Sequence, residues 1–346
     1  MTRASTAPQA EPGGEPPFLP RAHDFLGGLV RFALRYYIHV LLVAALVILS
    51  AVNANFRTSA NFENILLQSS FAGIGAAGMT FLIIAGAFDL SVAGMLGACG
   101  IVLALLSPQL GGLPAAIVVV VLGMGLGFLN GLVVTRMRIP AFIATLGMMN
   151  VYLGVAFIAT RGQVLPIDSE LLMDLGTNSL LGFIPFPFLV MVAIYVAAAF
   201  LLRRTIFGRQ VRAVGSSPNA ARTAGIPVDR VRIAAFVLVG FCTGVAGVLL
   251  TGELSSANAI MATGYELSAI AIVVVGGTSL KGGSGTVSGS FTGALFFSVI
   301  NNALNIFGVG AYWQYVISGV LLITAIGVQV VRGYVREEES ARERAT

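Results

Sequence analysis

Apolar runs of membrane-spanning length follow one another along most of the chain, from about residue 37 to residue 331. A helix needs roughly 20 mainly apolar residues to cross a bilayer. Hydrophobic residues make up 57% of the 346 residues and charged residues only 10%, whereas soluble domains carry about 25% charged residues. The runs therefore predict an all-α, polytopic membrane protein.

Ten spans are predicted, and their positions fix a topology. Their ranges are 37–56, 70–88, 91–107, 113–134, 140–160, 186–202, 233–251, 265–280, 286–306 and 312–331. With the N-terminus in the cytoplasm, eighteen of the twenty Lys and Arg residues are cytoplasmic, and only Arg57 and Arg161 are external. Basic residues concentrate in cytoplasmic loops, so both termini are predicted to be cytoplasmic. The same rule explains the net charge of +5 without a nucleic-acid partner.

Three regions follow from this pattern. Residues 1–36 form a cytoplasmic tail rich in Pro, Gly, Glu and Ala, which predicts disorder. Residues 37–331 form the transmembrane domain, and residues 332–346 form a charged cytoplasmic tail. A cleaved signal peptide is the alternative for the first span, because Val52-Asn53-Ala54 resembles a small-residue cleavage site; the long preceding region and the continuing apolar pattern favour a retained span.

Seven basic residues lie in one predicted cytoplasmic loop, residues 203–232. Ser217 followed by Pro218 predicts a helix start, since the hydroxyl caps the first turn and proline suits its first position. Gly225 predicts the helix end. The small-residue face of this short helix consists of Ala220, Ala221 and Ala224, while Asn219 and Arg222 point elsewhere. Such a face suits close docking on another protein; a purely topological anchor is the alternative.

Two glycine-bearing segments, 86–94 and 276–284, form a weak internal repeat. Gly86, Asp89 and Leu90 align with Gly276, Ser279 and Leu280 at an offset of 190 residues. Glycine-interrupted segments at matching positions of a transporter point toward the transport path. The span count places both segments on the same side of the membrane; tight turns between helices are the alternative function of their glycines.

Amides interrupt several apolar runs, which is costly in a membrane. Asn301 and Asn305 share a helix face, and Trp313 follows at the start of the next predicted span. Amides donate and accept hydrogen bonds and aromatic rings stack on C–H faces, so these residues suit a path for a neutral polyhydroxylated solute. The predicted path residues are Asp89, Ser91, Asn150, Asn301, Asn302, Asn305 and Trp313. Hydrogen bonding between helices is the alternative for each amide.

Other patterns predict packing rather than chemistry. Glycines recur every four residues at Gly123, Gly127 and Gly131, at Gly285, Gly289 and Gly293, and at Gly240 and Gly244; this spacing favours close contact between helices of the same chain. Cys99 and Cys242 lie in apolar runs and predict neither a disulfide framework nor a metal site. In the external segment 162–186, three leucines at helical spacing favour a short amphipathic helix on the outer membrane surface over a solvated loop.

Catalytic and nucleotide-binding motifs are absent from the sequence. A phosphate-binding loop requires Gly-x4-Gly-Lys-Ser/Thr, but Lys281 precedes Gly282 and no hydroxyl follows at the right place. Neither His-Glu-x-x-His nor Gly-x-Ser-x-Gly occurs, and the two histidines, His23 and His39, lie near the N-terminus. The chain is therefore not expected to be an enzyme, and ATP, if used, must bind another subunit.

Several motifs resemble one family and occur in its order. They are Asn61–Leu66, Asp89–Val92, Ile139–Met148, Arg212–Gly215 with Ala220-Ala221, Gly276–Leu280 and Asn301–Asn305. The chain resembles the permeases of ribose-type sugar ABC importers from about residue 35 to residue 331. It departs from them at Ala93, where the family often has glycine, and in its longer N-terminal tail.

The resemblance implies a permease subunit of a bacterial inner-membrane ABC importer for a sugar or sugar-like solute, such as a pentose, hexose or polyol. It implies no cofactor on this chain, a cytoplasmic ATPase that binds ATP and Mg, an extracytoplasmic solute-binding protein, and a second permease subunit, identical or not. It assigns residues 218–224 as the coupling helix that docks on the ATPase. The coupling residues are Arg212, Gly215, Ser217, Pro218, Asn219, Ala220, Ala221, Arg222, Ala224 and Gly225.

Two other functional classes stay open from the residues alone. An ion-coupled secondary transporter of a small polar solute would use Asp89 or Glu266 as its carrier, but it leaves the dense basic loop unexplained. A non-transporting membrane scaffold or receptor leaves the intramembrane amides and the paired glycine turns unexplained.

Overall fold

The computed structural model describes residues 36–310 and, beyond them, residues 312–313, 316–317, 319–320, 323–324 and 327. Within residues 36–310 the helices are α1 (Tyr37–Val52), α2 (Ser59–Ile84), α3 (Val92–Leu110), α4 (Gly112–Arg136), α5 (Ala141–Thr160), α6 (Glu170–Thr177), α7 (Phe186–Arg204), α8 (Ile206–Ser216), α9 (Pro218–Thr223), α10 (Val228–Glu253), α11 (Tyr265–Val275) and α12 (Val287–Ile306). A 3-10 turn, Ala54–Arg57, joins α1 to α2.

Seven helices in the described part of the chain are long and apolar enough to cross a membrane: α2, α3, α4, α5, α7, α10 and α12. Helices α1 and α11 are apolar but shorter. The predicted class, a mostly helical multi-pass membrane protein, is confirmed. The number of ten spans is not, since the two predicted tails and much of the tenth span lie outside the described residues.

Helix α10 is the central helix and packs against α2, α3, α4 and α6. Its closest neighbour is α4, because glycines face each other across that contact. A Cβ atom built on Gly127 would lie 3.1 Å from the Cα of Gly240, and one on Gly123 would lie 3.0 Å from the Cα of Gly244. The glycine spacing therefore serves packing within the chain, as predicted. The two cysteines are buried and free.

Helix α2 begins at Ser59, eleven residues before the second predicted span. Polar residues in this first part of the helix are the reason that the apolar pattern did not predict it. Three of them have hydrogen-bond partners within the protein. The hydroxyl groups of Ser69 and Ser70 donate hydrogen bonds to the Leu66 carbonyl, at 2.8 and 2.7 Å. Asn61 accepts a 2.8 Å hydrogen bond from the amide of Asn302 on α12. The polar side chains of Ser69 and Ser70 are thus satisfied within α2, and that of Asn61 is satisfied by α12.

The external segment contains the predicted helix, α6, but this helix packs on protein instead of lying on the lipid surface. Leu172 is fully buried, and a Cβ atom on Gly176 would lie 2.8 Å from the Cα of Glu253 at the end of α10. Two short antiparallel pairs complete the region. They are β1 (Leu165–Pro166) with β4 (Ser256–Ala257), and β2 (Ser179–Leu180) with β3 (Ile184–Pro185).

Helix α11 has only 11 residues and is therefore about 16 Å long, half the thickness of a bilayer core. The non-helical chain before it, residues 254–264, covers the rest of the distance. Ala257 and Ala259 are buried in that stretch, and the Ala259 backbone packs on Gly97 of α3. The predicted span 265–280 thus contains a half-helix, Tyr265–Val275, which is preceded by a partly buried loop.

Candidate functional site

The basic loop 203–232 is more helical than predicted, because α8 precedes the short helix α9. Thr205 caps α8 by accepting a 3.2 Å hydrogen bond from the Gly208 amide. Val211 and Val214 are buried while Arg209 is exposed, so α8 turns one side to the protein core. Phe207 stacks on Phe81 of α2 with a centroid distance of 6.1 Å. Helix α8 is therefore anchored on the end of α2.

The predicted start and end of α9 are confirmed by their hydrogen bonds. The Ser217 hydroxyl accepts from the Ala220 amide at 3.3 Å, and Pro218 occupies the first turn. At the other end Gly225 has a φ of 78°, and the Ile226 amide reaches back to the Ala221 carbonyl at 2.9 Å. A left-handed glycine with this hydrogen bond is a common helix end.

The exposed face of α9 differs from the predicted alanine face at one residue. Ala221 is 4% exposed and belongs to the core that contains Val214 and Val228. Ala220 and Ala224 are exposed, as are Asn219 and Arg222. Ala221 therefore anchors the helix to its own chain, and the remaining residues are free to meet another protein. Arg222 also pairs with exposed Asp229 at 3.2 Å, a contact of little energetic weight.

Three backbone segments meet without side chains beside α8, at what we call the glycine junction: Gly86, Gly215, Gly282 and Gly283. The Gly283 amide donates a 2.8 Å hydrogen bond to the Ile84 carbonyl. A Cβ atom on Gly215 would lie 2.8 Å from the carbonyl carbon of Ile84. One on Gly282 would lie 3.1 Å from the Gly86 Cα. The end of α8 is thus wedged between the turns that follow α2 and α11.

These two turns are the two members of the internal repeat, and they lie on the same side, as the span count predicts. Each helix ends with the same hydrogen bond, from Ala87 to Leu82 at 3.0 Å and from Thr278 to Val273 at 3.1 Å. The left-handed glycines are Gly86 and Gly277. The turns themselves therefore correspond at an offset of 191 residues, one more than the predicted offset of 190.

Asp89 and Ser91 are fully buried in a closed hydrogen-bond network. One carboxylate oxygen of Asp89 accepts from the Ser91 amide at 2.8 Å and from its hydroxyl at 2.6 Å. The other accepts from the Asn130 amide at 2.9 Å, and the Tyr152 hydroxyl donates to the Asn130 oxygen at 2.8 Å. Burial raises the pKa of Asp89, which lies in the turn outside the spanning helices, while the Ser91 and Asn130 hydrogen bonds lower it.

The network shows which residues sequence reasoning missed. Asn130 lies in an apolar run, but the sequence does not identify it as a partner of Asp89, which lies 41 residues away. Tyr152 gave no signal, because an isolated tyrosine in a membrane span is ordinary. Asp89 and Ser91 face the interior of the chain, so their place in a transport path stays a prediction.

The amides of α12 divide into buried and exposed positions. Asn302 is 4% exposed and bonded to Asn61, which matches the structural alternative for that residue. Asn301 is half-buried and Asn305 is exposed. Trp313 is 63% exposed.

Asn150 lies on a different set of helices from the amides of α12. It is exposed on α5, and its amide donates to the Leu146 carbonyl at 3.0 Å. Helix α5 packs on α3 and α4, whereas α12 packs on α1, α2, α7 and α11. The predicted path residues therefore fall into a buried cluster around Asp89, a group on α12, and Asn150.

Comparisons with known proteins give one consistent picture. The family model described as branched-chain amino acid transport system / permease component matches residues 61–326. A ribose import permease protein of Escherichia coli strain K12 is 37% identical over 294 residues, 83% of this chain and 91% of that protein. One from Bacillus subtilis strain 168 is 38% identical over 298 residues, 81% and 88% of the two chains.

An L-arabinose ABC transporter permease protein of Azospirillum brasilense is 36% identical over 301 residues, 87% of this chain and 88% of that protein. No solved structure matches the chain significantly.

Proposed function

The chain belongs to the family of branched-chain amino acid transport system permease components, and on that premise we propose that it carries a pentose or a closely similar sugar into a bacterial cell. Its relatives make it a permease subunit of a sugar ABC importer and not itself an enzyme. Such an importer works with an ATPase and a solute-binding protein. The relatives named for ribose and arabinose favour a five-carbon sugar.

The observation that carries the proposal is helix α9. It is a capped helix of two turns, held to its own chain by Ala221 and exposed at Ala220 and Ala224. A small, uncharged surface on a rigid helix fits a groove of a partner closely, since little side-chain entropy is lost on binding. We propose that α9 is the coupling helix, and that ATP and Mg bind the partner ATPase alone.

The remaining arrangement follows from the same proposal. The chain crosses the cytoplasmic membrane ten times with both termini inside, in keeping with the distribution of Lys and Arg. Two permease subunits enclose the path. Binding of ATP closes the ATPase pair, α9 transmits this movement through α8 to the spanning helices, and the path opens to the binding protein. Hydrolysis of ATP reverses the change and releases the sugar inward.

The docking step is tested by placing a charge on the exposed face of α9. Ala220→Asp and Ala224→Asp should keep their membrane abundance but lose co-purification with the ATPase, because a buried unpaired charge is costly at an interface. Ala220→Ser keeps the small size and should retain the complex. Ala221→Asp is the contrasting variant, since it places a charge in the chain's own core and should lower abundance. An Ala220→Asp protein that still binds the ATPase and transports normally would disprove the coupling assignment.

The energy source is tested in vesicles that contain permease, ATPase and binding protein. Uptake of radiolabelled D-ribose or L-arabinose should require ATP on the side of the vesicle membrane where the ATPase is bound. It should persist when an ionophore collapses the ion gradients. The closed network of Asp89 supports this outcome, because all its hydrogen bonds come from the protein's own groups. Uptake abolished by the ionophore while ATP is present would favour an ion-coupled carrier instead.

A further inference from the structure

The half-helix α11 begins partway along the spanning helix α2. Tyr265, its first residue, packs on Gly75 of α2 and donates a hydrogen bond to the Phe71 carbonyl. Phe71 lies twelve residues from the outer end of α2, which corresponds to a depth of about 18 Å. Space on the outer side of α11 is therefore bounded by helices that continue past it, α2 and α12.

One face of α2 runs from this contact to the outer surface. Successive helical residues are about 100° apart, so positions four, seven and eleven residues apart share a face. The residues on it are Asn64, Gln68, Phe71 and Gly75. Tyr265 covers the lower two, whereas Asn64 and Gln68 above it are exposed. An apolar span thus presents two amides directly above the start of the half-helix.

Helix α12 contributes a third amide to the same space. Its Gly289 and Gly293 pack on α11, and its Ser298 and Asn302 bond to α2. At 100° per residue, Asn301 lies between those two faces, on the outer side of α11. It is half-buried. We call the surface beside the contact of α2 with α12, above α11, the outer groove; Asn64, Gln68 and Asn301 lie along it.

Glu266 lies in the first turn of α11, directly after Tyr265, the residue that covers the lower part of this α2 face. Its carboxylate is half-buried, and one oxygen, Oε2, is buried without a hydrogen-bond partner among the described residues. The single ion pair of the described residues, Arg222 with Asp229, does not involve it. An ionisable side chain at this depth faces a water-filled cavity or the bundle interior, not lipid.

We propose that the outer groove is a solute-binding section of the transport path, with Glu266 as its principal hydrogen-bond acceptor. The inference rests on the proposed function and deepens it. A carboxylate can accept from two neighbouring hydroxyl groups of one sugar ring, and the three amides both donate and accept. The ligand class is a neutral polyhydroxylated molecule, which satisfies these groups without adding a charge at mid-membrane depth.

Accessibility of single cysteines tests the groove in the assembled transporter. The two native cysteines are buried, so the unmodified protein should react little with a charged, membrane-impermeant thiol reagent. Gln68→Cys and Glu266→Cys should react from the outer side. Val196→Cys on α7 is the matched control: Val196 is 66% exposed and lies ten residues from the start of α7, and we expect this apolar side chain to face lipid and the cysteine variant to stay unreactive. Reaction of Val196→Cys alone, or of none of the three, would overturn the inference.

Uptake of D-ribose and L-arabinose provides the second measurement. Glu266→Gln should lower ATP-driven uptake about ten-fold or more, because a hydrogen bond to a charged group is worth more than a neutral one, while Glu253→Gln should have little effect. Basal ATP hydrolysis should be unchanged in the control variant Glu253→Gln. If wild-type vesicles show ATP-driven uptake and Glu266→Gln equals them, the groove assignment fails and the proposed function stands. If wild-type vesicles show none, the proposed function itself fails.

Discussion

The glycine junction and the outer groove lie at opposite ends of the same helices, and they are built by opposite means. At the junction, Gly215 enters between the ends of α2 and α11 with no side chain in the contact. In the outer groove, α2 and α12 stay in contact through Ser298 and Asn302 and expose amides beside that contact. One end leaves no room for a single methyl group, and the other presents polar side chains at its surface.

The difference separates two tasks. Backbone atoms in direct contact, joined by the hydrogen bond from Gly283 to Ile84, move together because packed interiors deform little. Side chains in an open groove can meet a solute without moving the helices. We therefore expect substitutions at the junction to affect folding and force transmission, and substitutions in the groove to affect transport of the sugar alone.

The largest effect is expected for Gly215→Ala. Its Cβ atom would collide with the Ile84 carbonyl group, and overpacking of this kind costs about 3 kcal/mol. Membrane abundance and the thermal midpoint in detergent should both fall. Gly125→Ala is the control, because nothing lies within 4 Å of its added Cβ and alanine favours a helix. Equal stability of the two variants would show that the backbone at the junction can shift to accommodate a methyl group.

A smaller loss of stability is expected for Asp89→Ala, because Asp89 lies in the turn after α2, near Gly86 of the glycine junction. The change removes the acceptor for Ser91 and Asn130, and each buried donor left unpaired costs about 1–3 kcal/mol. The unfolding temperature can be measured with a thiol-reactive dye that labels the two buried cysteines when the protein unfolds. Asp168→Ala, at an exposed external position, should unfold at the wild-type temperature; the same loss at both sites would contradict the structural role.

The smallest effect on stability is expected for Gln68→Leu in the outer groove. The side chain is exposed, so the unfolding temperature should stay the same or rise slightly. Uptake of D-ribose should fall several-fold, because one hydrogen bond to the solute is lost, about 0.5–1.5 kcal/mol. Gln68→Asn retains the amide and should recover part of the rate. Full activity of Gln68→Leu would remove this residue from the groove.

Sequence patterns were sufficient for much of the fold. Apolar length predicted the spanning helices, and Ser217, Pro218 and Gly225 predicted the ends of α9, because capping depends on neighbouring residues. Helix α8 was missed, since its buried valines alternate with basic residues and glycines. The early start of α2 was missed because polar residues that pair with other helices look like loop residues in a linear sequence.

The site was less predictable, because it depends on contacts between distant residues. Ala221 looked equivalent to Ala220 and Ala224, and only the packing of α9 on its own chain distinguishes it. The sequence singles out Asp89 as a path residue, but it gives no sign of the hydrogen-bond network that Asn130 and Tyr152 form around it. Glu266 followed an apparent external loop, and its depth emerges from the contact between Tyr265 and Gly75.

A mainly apolar helix of eleven residues is too short to leave the protein-conducting channel for lipid by itself. The chain from 254 to 275 can settle only against surfaces supplied by other helices, and one of these, α12, is synthesised after it. Membrane insertion of this region is therefore expected to be delayed until α12 emerges from the ribosome. Chains truncated before residue 287 should leave the segment exposed to quality-control proteases.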